Sequence, residues 1–182
     1  MKQTVKNISR LLIAFTCLLA SAQADWKQDL SEQLPLLGHR NWVVVADSAY
    51  PLQTAPGIKT IYAGGDHIDV LNQVLAAVSQ QKHVRPVILT DAELNYVDEK
   101  HAPGIGALRD QLKTALAERE VQAKPHEEII AQLDEAGNTF QVIIIKTDLV
   151  LPYTSVFIRL DCGYWSAEAE NALRKSMGQA KE

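Results

Sequence analysis

Short apolar runs alternate along this chain with segments whose apolar residues recur at every third or fourth position. The clearest run is Trp42–Ala46, a stretch of apolar and mainly β-branched residues that is typical of a strand covered on both faces. The clearest helical spacing extends from Ile68 to Val78. Strands that alternate with helices in this way predict an α/β fold built around a layered sheet.

The same pattern, with the turn residues between the runs, predicts the remaining elements. Strands are expected at 42–46, 58–62, 86–89, 141–146 and 155–160. Helices are expected at 26–37 with a stop near residue 35, after an N-cap at Asp66, around 108–116, over 125–138 and after Ser166. We also expect a left-handed helix end at Gly38, a surface loop at Asp91–Gly106, and a hairpin at the Tyr153 turn that makes the sheet mixed.

Two polar residues flank the first predicted strand. His39 comes shortly before it and Asp47 directly after it. At about 3.3 Å per residue, a strand of this length places them at its opposite ends. They can share one site only if the chain folds back at one end, or if two subunits complete the site between them.

The first 24 residues have the pattern of a secretory signal peptide. Three basic residues precede an apolar run at 11–20, and Ala22–Ala24 has the small-x-small pattern of a cleavage site. The run is too short to span a bilayer, which takes about 20 residues. A buried N-terminal helix is the alternative, and a lipoprotein signal fits less well because Phe15 precedes Cys17. The sequence therefore predicts export, to the periplasm, with cleavage after Ala24.

The net charge and the number of cysteines exclude several kinds of partner and site for the exported chain. Removing residues 1–24, which hold three basic and no acidic residues, takes the net charge from −4 to −7. This acidic balance argues against nucleic acid or an anionic membrane as partner. Only Cys162 of the two cysteines would remain, which excludes an intramolecular disulfide and a metal–thiolate cluster. It is expected to be a small buried residue rather than a catalytic thiol.

Several familiar motifs are missing from the sequence. It has no GxGxxG after a strand, no P-loop and no GxSxG, so dinucleotide binding is not expected. Asp66–Asp69 offers carboxylates and a histidine to a metal ion, but a capped helix start is the simpler interpretation. The reason is that His67 and Asp69, two positions apart, point to different faces of a helix.

His39, Asp47, His126 and Tyr153 are the candidates for chemistry. Each is expected at the end of an element or in a turn, where sites on layered α/β folds gather. Two imidazoles, a carboxylate and a phenol can perform acid–base chemistry near neutral pH, because imidazole both gives and takes a proton there. Taken one at a time, each of these residues is more simply interpreted as structural.

The order of these residues resembles the D-ribose pyranase and L-fucose mutarotase family (RbsD/FucU). The most specific match is Leu37–Pro51, which reads Leu-Gly-His, a polar pair, a β-run and then Ala-Asp-x-x-x-Pro. Three more matches follow in the family's order, at Ile68–Ile88, Pro125–Glu127 and Ile143–Ile158. The resemblance covers about residues 28–164. We therefore divide the chain into a signal peptide at 1–24, a family-like domain at 25–165 and a polar helical tail at 166–182.

The resemblance implies a single three-layer α/β domain that assembles into a ring-shaped homo-oligomer with sites between subunits. The implied activity interconverts ring forms or anomers of a free aldose, with neither metal nor cofactor. His39 matches the family's proton-donating histidine and Asp47 its sugar-binding carboxylate. The remaining sugar-binding positions match His126, Tyr153, Thr154 and Ser155.

The chain also departs from the family pattern. Ser155 stands where the family has Asn, and Thr147–Leu149 replaces a Thr-Gly-Glu. Residues are added around 134–138, and the signal peptide and tail have no counterpart. Three hypotheses therefore stay open: a mutarotase or pyranase-like isomerase using histidine acid–base catalysis, a non-catalytic monosaccharide-binding protein, and a structural ring-forming protein with a vestigial pocket.

Overall fold

Six strands form one mixed sheet in the computed structural model, which describes residues 26–178. The strands are β1 Trp42–Ala46, β2 Ile58–Tyr62, β3 Val84–Asp91, β4 Val121–Lys124, β5 Val142–Lys146 and β6 Val156–Cys162. Their spatial order is β2-β5-β1-β6-β3-β4. The predicted signal peptide at 1–24, with its cleavage site, lies outside the described residues.

Only β6 runs against its neighbours in this sheet. It pairs antiparallel with β1 and with β3, whereas the pairs β1–β5, β2–β5 and β3–β4 are parallel. The carboxyl ends of the other five strands therefore meet the amino end of β6 at one side of the sheet. We call this side the carboxyl edge.

Helices cover both faces of the sheet. They are α1 Trp26–Gln33, α2 His67–Ser79, α3 Ile105–Ala115, α4 His126–Thr139 and α5 Ala167–Ser176, with short 3₁₀ helices at Leu34–Leu36 and Ala92–Tyr96. One apolar layer joins α1, α2 and α3 to Val43 and Val45, and the other joins α4 to Val44. Alternate residues of β1 thus enter opposite layers, as the two-residue period of a strand requires. The α/β class and the three layers expected from the sequence are confirmed.

The expected hairpin at Tyr153 is wrong. β5 and β6 do not pair with each other, because β1 lies between them and pairs with both: Val45 is opposite Ile145 on one side and Val156 on the other. The nine residues that join β5 to β6 cross over the end of β1 instead of closing a tight turn. The mixed sheet is correct, but it arises from this crossover.

The other half of the sheet also differs from the expectation. β3 extends to Asp91, which the sequence pattern placed in a surface loop, and its side chain is buried. β4 was not predicted at all, because Val121–Lys124 lies at the sheet margin and leaves every second residue exposed. A strand with so little burial carries almost no apolar signal.

The turn before β1 also differs from expectation. Arg40, not Gly38, adopts the left-handed conformation, with φ of 73°. The turn is held instead by Asn41, whose side-chain Oδ1 accepts a hydrogen bond from the Gly38 N–H at 2.7 Å.

Across the described range 26–178, no helix has the length and apolar character needed to cross a bilayer.

Candidate functional site

Polar side chains gather at the carboxyl edge, where successive strands begin or end. Asp47 follows β1, Asp91 closes β3 and His126 opens α4 directly after β4 and Pro125. Tyr153 and Ser155 precede β6 at the same edge. Residues far apart in sequence therefore meet because the sheet aligns the ends of their strands.

Asp47 is held by hydrogen bonds to both of its carboxylate oxygens. Oδ1 accepts from the Ala49 N–H at 2.8 Å, a local turn that fixes the side chain over the end of β1. Oδ2 accepts from the Ser155 hydroxyl at 3.2 Å. The side chain remains partly exposed, so its remaining lone pairs are open to a ligand's hydroxyl groups.

Tyr153 occupies a conformation that a tyrosine rarely adopts. Its φ of 58° lies in the left-handed region, which costs about 1–2 kcal/mol for a residue with a Cβ. Strained residues of this kind cluster at ligand sites. The turn around it is fastened by Thr154, whose fully buried hydroxyl donates to the Leu151 carbonyl at 2.9 Å. The hydroxyl of Thr154 is thereby committed to the turn.

The ring of His126 joins Tyr153 to the β3 side of the edge. The two rings meet edge to face, with centroids 5.6 Å apart and planes at 82°. Nδ1 of His126 is 3.1 Å from Oδ1 of Asp91. The main-chain N–H of His126 donates to both carboxylate oxygens of Glu93, each at 3.0 Å, so Glu93 caps the start of α4.

The Asp91 carboxyl group is the most buried acid of this cluster. Its side chain is 1 % exposed, and Oδ2 has no hydrogen-bond partner within the described chain. Burial raises the pKa of Asp91, and the bond from His126 opposes that rise without cancelling it. The carboxylates of Glu93 and Asp47 add smaller contributions that raise it further.

A buried histidine lies beneath the edge. His67 is 2 % exposed, and its Nδ1 is 2.9 Å from the hydroxyl oxygen of Thr147, which also lies 3.1 Å from the Ala46 carbonyl. Burial lowers the pKa of His67. The pair links the ends of β5 and β1. Asp66 caps α2 as predicted, accepting from the Asp69 N–H at 2.9 Å.

No metal centre is visible in the described part of the chain. Residues 26–178 contain no group of three or more histidine, cysteine, aspartate or glutamate side chains placed to hold a metal ion.

Tyr50 packs at the carboxyl edge with 6 % exposure. Burial raises the pKa of its hydroxyl, and the charges of Asp134, Asp91 and Asp47 raise it further. These three carboxylates are therefore close enough to Tyr50 to oppose ionisation of its hydroxyl.

His39 lies at the opposite end of β1 from this cluster. It is exposed and lines a surface cavity of about 490 Å³ together with Arg40, Phe140 and Arg159. The strand alone separates it from Asp47 by about 16 Å at the usual rise per residue. The structure thus brings Asp47, His126, Tyr153 and Ser155 together, but not His39.

Sequence reasoning missed three residues of this site: Asp91, Glu93 and Thr147. Asp91 follows the apolar run 86–89 in the way that Asp47 follows β1, and this shared pattern could have revealed it. Glu93 gave no signal, because its capping contact reaches across 33 residues of sequence. Thr147 gave no signal either, because its contacts with His67 and with the Ala46 carbonyl depend on the pairing of β5 with β1.

Comparison with known proteins gives distant structural similarities only. No protein-family model and no curated protein matches the sequence. A structure of RbsD from Bacillus subtilis complexed with D-ribose is 19% identical, with 73% of this chain and 91% of that chain covered and a TM-score of 0.49.

Two further solved structures are similar at the same level. The fucose mutarotase of Streptococcus pneumoniae in complex with L-fucose is 18% identical, covering 79% of this chain and 98% of that one at a TM-score of 0.49. FucU from Bifidobacterium longum is 13% identical, covering 74% and 92% at 0.47. Similarities this distant assign neither a family nor an activity to the chain.

Proposed function

We propose that this chain is a divergent, exported member of the RbsD/FucU family that interconverts ring forms or anomers of a free aldose. The observation that carries the proposal is the meeting of Asp47, His126 and Tyr153 at one edge of the sheet. In the sequence, these residues match the family's sugar-binding positions. They lie on separate elements, and the fold brings them together.

The chemistry of ring opening suits these side chains. The reaction needs a proton delivered to the ring oxygen and a proton removed from the anomeric hydroxyl. The open-chain aldehyde then closes again from its other face or through another hydroxyl. Asp47 would accept hydrogen bonds from sugar hydroxyls, His126 and Tyr153 would contact the ring, and the Thr154–Ser155 segment would complete the floor. Correctly placed acid–base groups contribute about 10²–10⁴-fold to such a rate.

The proton donor in this proposal is His39 of a neighbouring copy. Within one chain His39 and Asp47 lie at opposite ends of β1, so one copy cannot bring them to the same sugar. A ring-shaped homo-oligomer with head-to-tail contacts would place the His39 end of one copy against the carboxyl edge of the next. Neither metal nor cofactor is required, and the protein would act in the periplasm after cleavage at Ala24.

One observation favours the alternative, a monosaccharide-binding protein without turnover. The family's Asn is Ser155 here, and its hydroxyl donates to Asp47 rather than standing free. A serine also lacks the amide that donates and accepts at once. Such a protein would still bind a sugar through Asp47, His126 and Tyr153, but it would not hold the sugar in the orientation that proton transfer requires.

Exchange NMR on a panel of aldoses that includes D-ribose and L-fucose tests the proposal. The mature chain should raise the rate at which anomers or ring forms exchange for at least one sugar. His39→Ala should lower that gain by about 100-fold or more, in line with the loss of an acid–base group. His101→Ala, which removes an exposed histidine from a loop, is the matched control and should keep the wild-type rate.

The same panel separates the alternatives. If the wild-type protein leaves every exchange rate at its value in buffer, the isomerase proposal fails. Ligand-observed binding to one of those sugars would then support the binding protein. Absence of both exchange and binding would leave the structural ring-forming protein.

A further inference from the structure

Asp91 makes the contact that fixes the ring of His126, yet nothing in the proposed reaction uses it so far. We infer that Asp91 is a positioning residue that keeps the proton of neutral His126 on Nδ1. Nε2 of His126 is then the base that receives the proton of the sugar's anomeric hydroxyl. This inference rests on the proposed function and assigns the base that ring opening needs beside the acid His39.

With the Asp91 carboxyl group ionised, its contact with the ring of His126 sets the tautomer. Oδ1 of Asp91 is 3.1 Å from Nδ1 of His126. An ionised carboxylate has lone pairs and no proton to donate, so Nδ1 must carry the hydrogen. Nε2 of the neutral ring is then the nitrogen with a free lone pair, as a general base requires.

The ring is also restrained in position. The Glu93 carboxylate holds the main-chain N–H of His126, and the ring of Tyr153 lies nearly perpendicular to the imidazole. The His126 side chain is nevertheless 32 % exposed, so a ligand can reach it. A base that is fixed and accessible is what proton transfer from a bound hydroxyl needs.

The surroundings of Asp91 are unfavourable for a residue that serves only the fold. Its side chain is 1 % exposed and Oδ2 lacks a partner among the described residues. A half-satisfied buried carboxylate stabilises a fold less than a well-packed apolar residue of similar volume. Buried polar groups left in this state call for a functional explanation. Positioning of His126 provides one.

The proton balance of the step is complete. As the bond between C1 and the ring oxygen breaks, that oxygen takes the electron pair and receives a proton from His39 of the neighbouring copy. Nε2 of His126 takes the proton from O1, and the O–H electron pair becomes the second bond of the aldehyde. Ring closure reverses both transfers, so the enzyme returns to its starting protonation state and no other reactant is consumed.

Nitrogen NMR of histidine-labelled protein, recorded without sugar at neutral pH, tests the positioning directly. Wild-type His126 should show the form protonated on Nδ1. Asp91→Asn should give a mixture of tautomers, because an amide can either accept from Nδ1 or donate to it. Glu128→Gln is the matched control: it removes an exposed carboxylate from the first turn of α4, and the tautomer of His126 should stay on Nδ1.

Exchange rates on a responsive aldose test the catalytic consequence. Asp91→Asn should lower the enzyme's contribution by about 10–100-fold, a typical loss for removal of a group that orients another. The dissociation constant of the sugar should stay within about threefold, since the buried Asp91 side chain is only 1 % exposed. Asp69→Asn removes a carboxylate from the start of α2 and should leave the rate unchanged.

Two results would overturn the inference. One is a wild-type His126 protonated on Nε2, which would mean that Asp91 is itself protonated and donates to the ring. The other is an Asp91→Asn variant with the wild-type tautomer and rate. Because the spectra need no sugar, a protein inactive on every aldose but with the predicted tautomers would refute the proposed function and still support the positioning by Asp91.

Discussion

At the scale of single residues, two aspartates at the ends of strands have opposite surroundings. Asp47 has partners on both oxygens and stays partly exposed, whereas Asp91 is buried with one oxygen unpaired. Environments that differ in this way allow two carboxyl groups to take different roles in one site. Asp47 is suited to accept hydrogen bonds from a ligand, and Asp91 is suited to act through His126.

Burial of Asp91 leads to a prediction about stability and pH. Its folded pKa is raised above the unfolded value of about 3.9, so its protonated form favours folding at low pH and that contribution is lost as pH rises through the folded pKa. Asp91→Asn does not titrate. The stability of the variant relative to wild type should therefore increase between about pH 4 and pH 7.

Urea unfolding of both proteins across this range measures the effect. His126, Glu93 and Asp47, the titratable groups that act on Asp91, are present in both proteins. The difference in free energy of unfolding between the two proteins could instead stay constant, or wild type could gain stability relative to the variant as pH rises. Either result would show that burial does not raise the pKa of Asp91.

At the scale of helices and strands, the apolar pattern predicted most of the fold. Strands β1, β2 and β5 were predicted within one residue of their bounds. The residues of β1 and β5 are almost all buried, whereas in β2 only Ile61 is buried. What the pattern could not supply was strand adjacency. The sequence pattern of β5 and β6 would be the same whether the two strands paired directly or lay on either side of another strand. The expected hairpin at Tyr153 is therefore wrong because β1 lies between them.

The site was predictable where a residue type and a strand end coincided. Asp47 and His126 lie beside elements with strong local signals, the buried β1 and the start of α4. Asp91 was assigned to a loop because the pattern ended β3 two residues early, at Leu89. The marginal strand β4, which delivers His126 to this edge, has half-exposed residues and so left no pattern to detect.

A glycine between β2 and α4 provides a test of this packing. A Cβ atom at Gly57 would overlap the backbone oxygens of Gly137 and Phe140, and backbone cannot move aside as a side chain can. Gly57→Ala should lower the free energy of unfolding by about 1–3 kcal/mol, as expected of overpacking. Denaturant unfolding of the mature chain measures this.

The control is Gly38→Ala. No heavy atom lies within 4 Å of a Cβ there, and Gly38 does not have the positive φ first expected of it. This variant should stay within about 0.5 kcal/mol of wild type. Equal stability of the Gly57 and Gly38 variants would contradict the close approach of α4 to β2.

At the scale of the whole molecule, the proposed catalytic groups lie at the two ends of the sheet. The carboxyl edge holds Asp47, His126 and Tyr153, and the other end exposes His39 beside its own cavity. In the proposed reaction, a single copy therefore carries two separate halves of the site. The central claim is that contact between copies completes the sugar site.

Complementation between two inactive variants tests that claim most directly. His39→Ala and His126→Gln are each expected to lose most of the exchange activity when pure. Co-expressed with different tags and isolated as mixed oligomers, with their size checked by light scattering, they should regain activity at about one quarter of the sites, where an intact His39 meets an intact carboxyl edge. Mixed oligomers no more active than the pure variants, or a wild-type protein that is both monomeric and active, would contradict a site shared between copies.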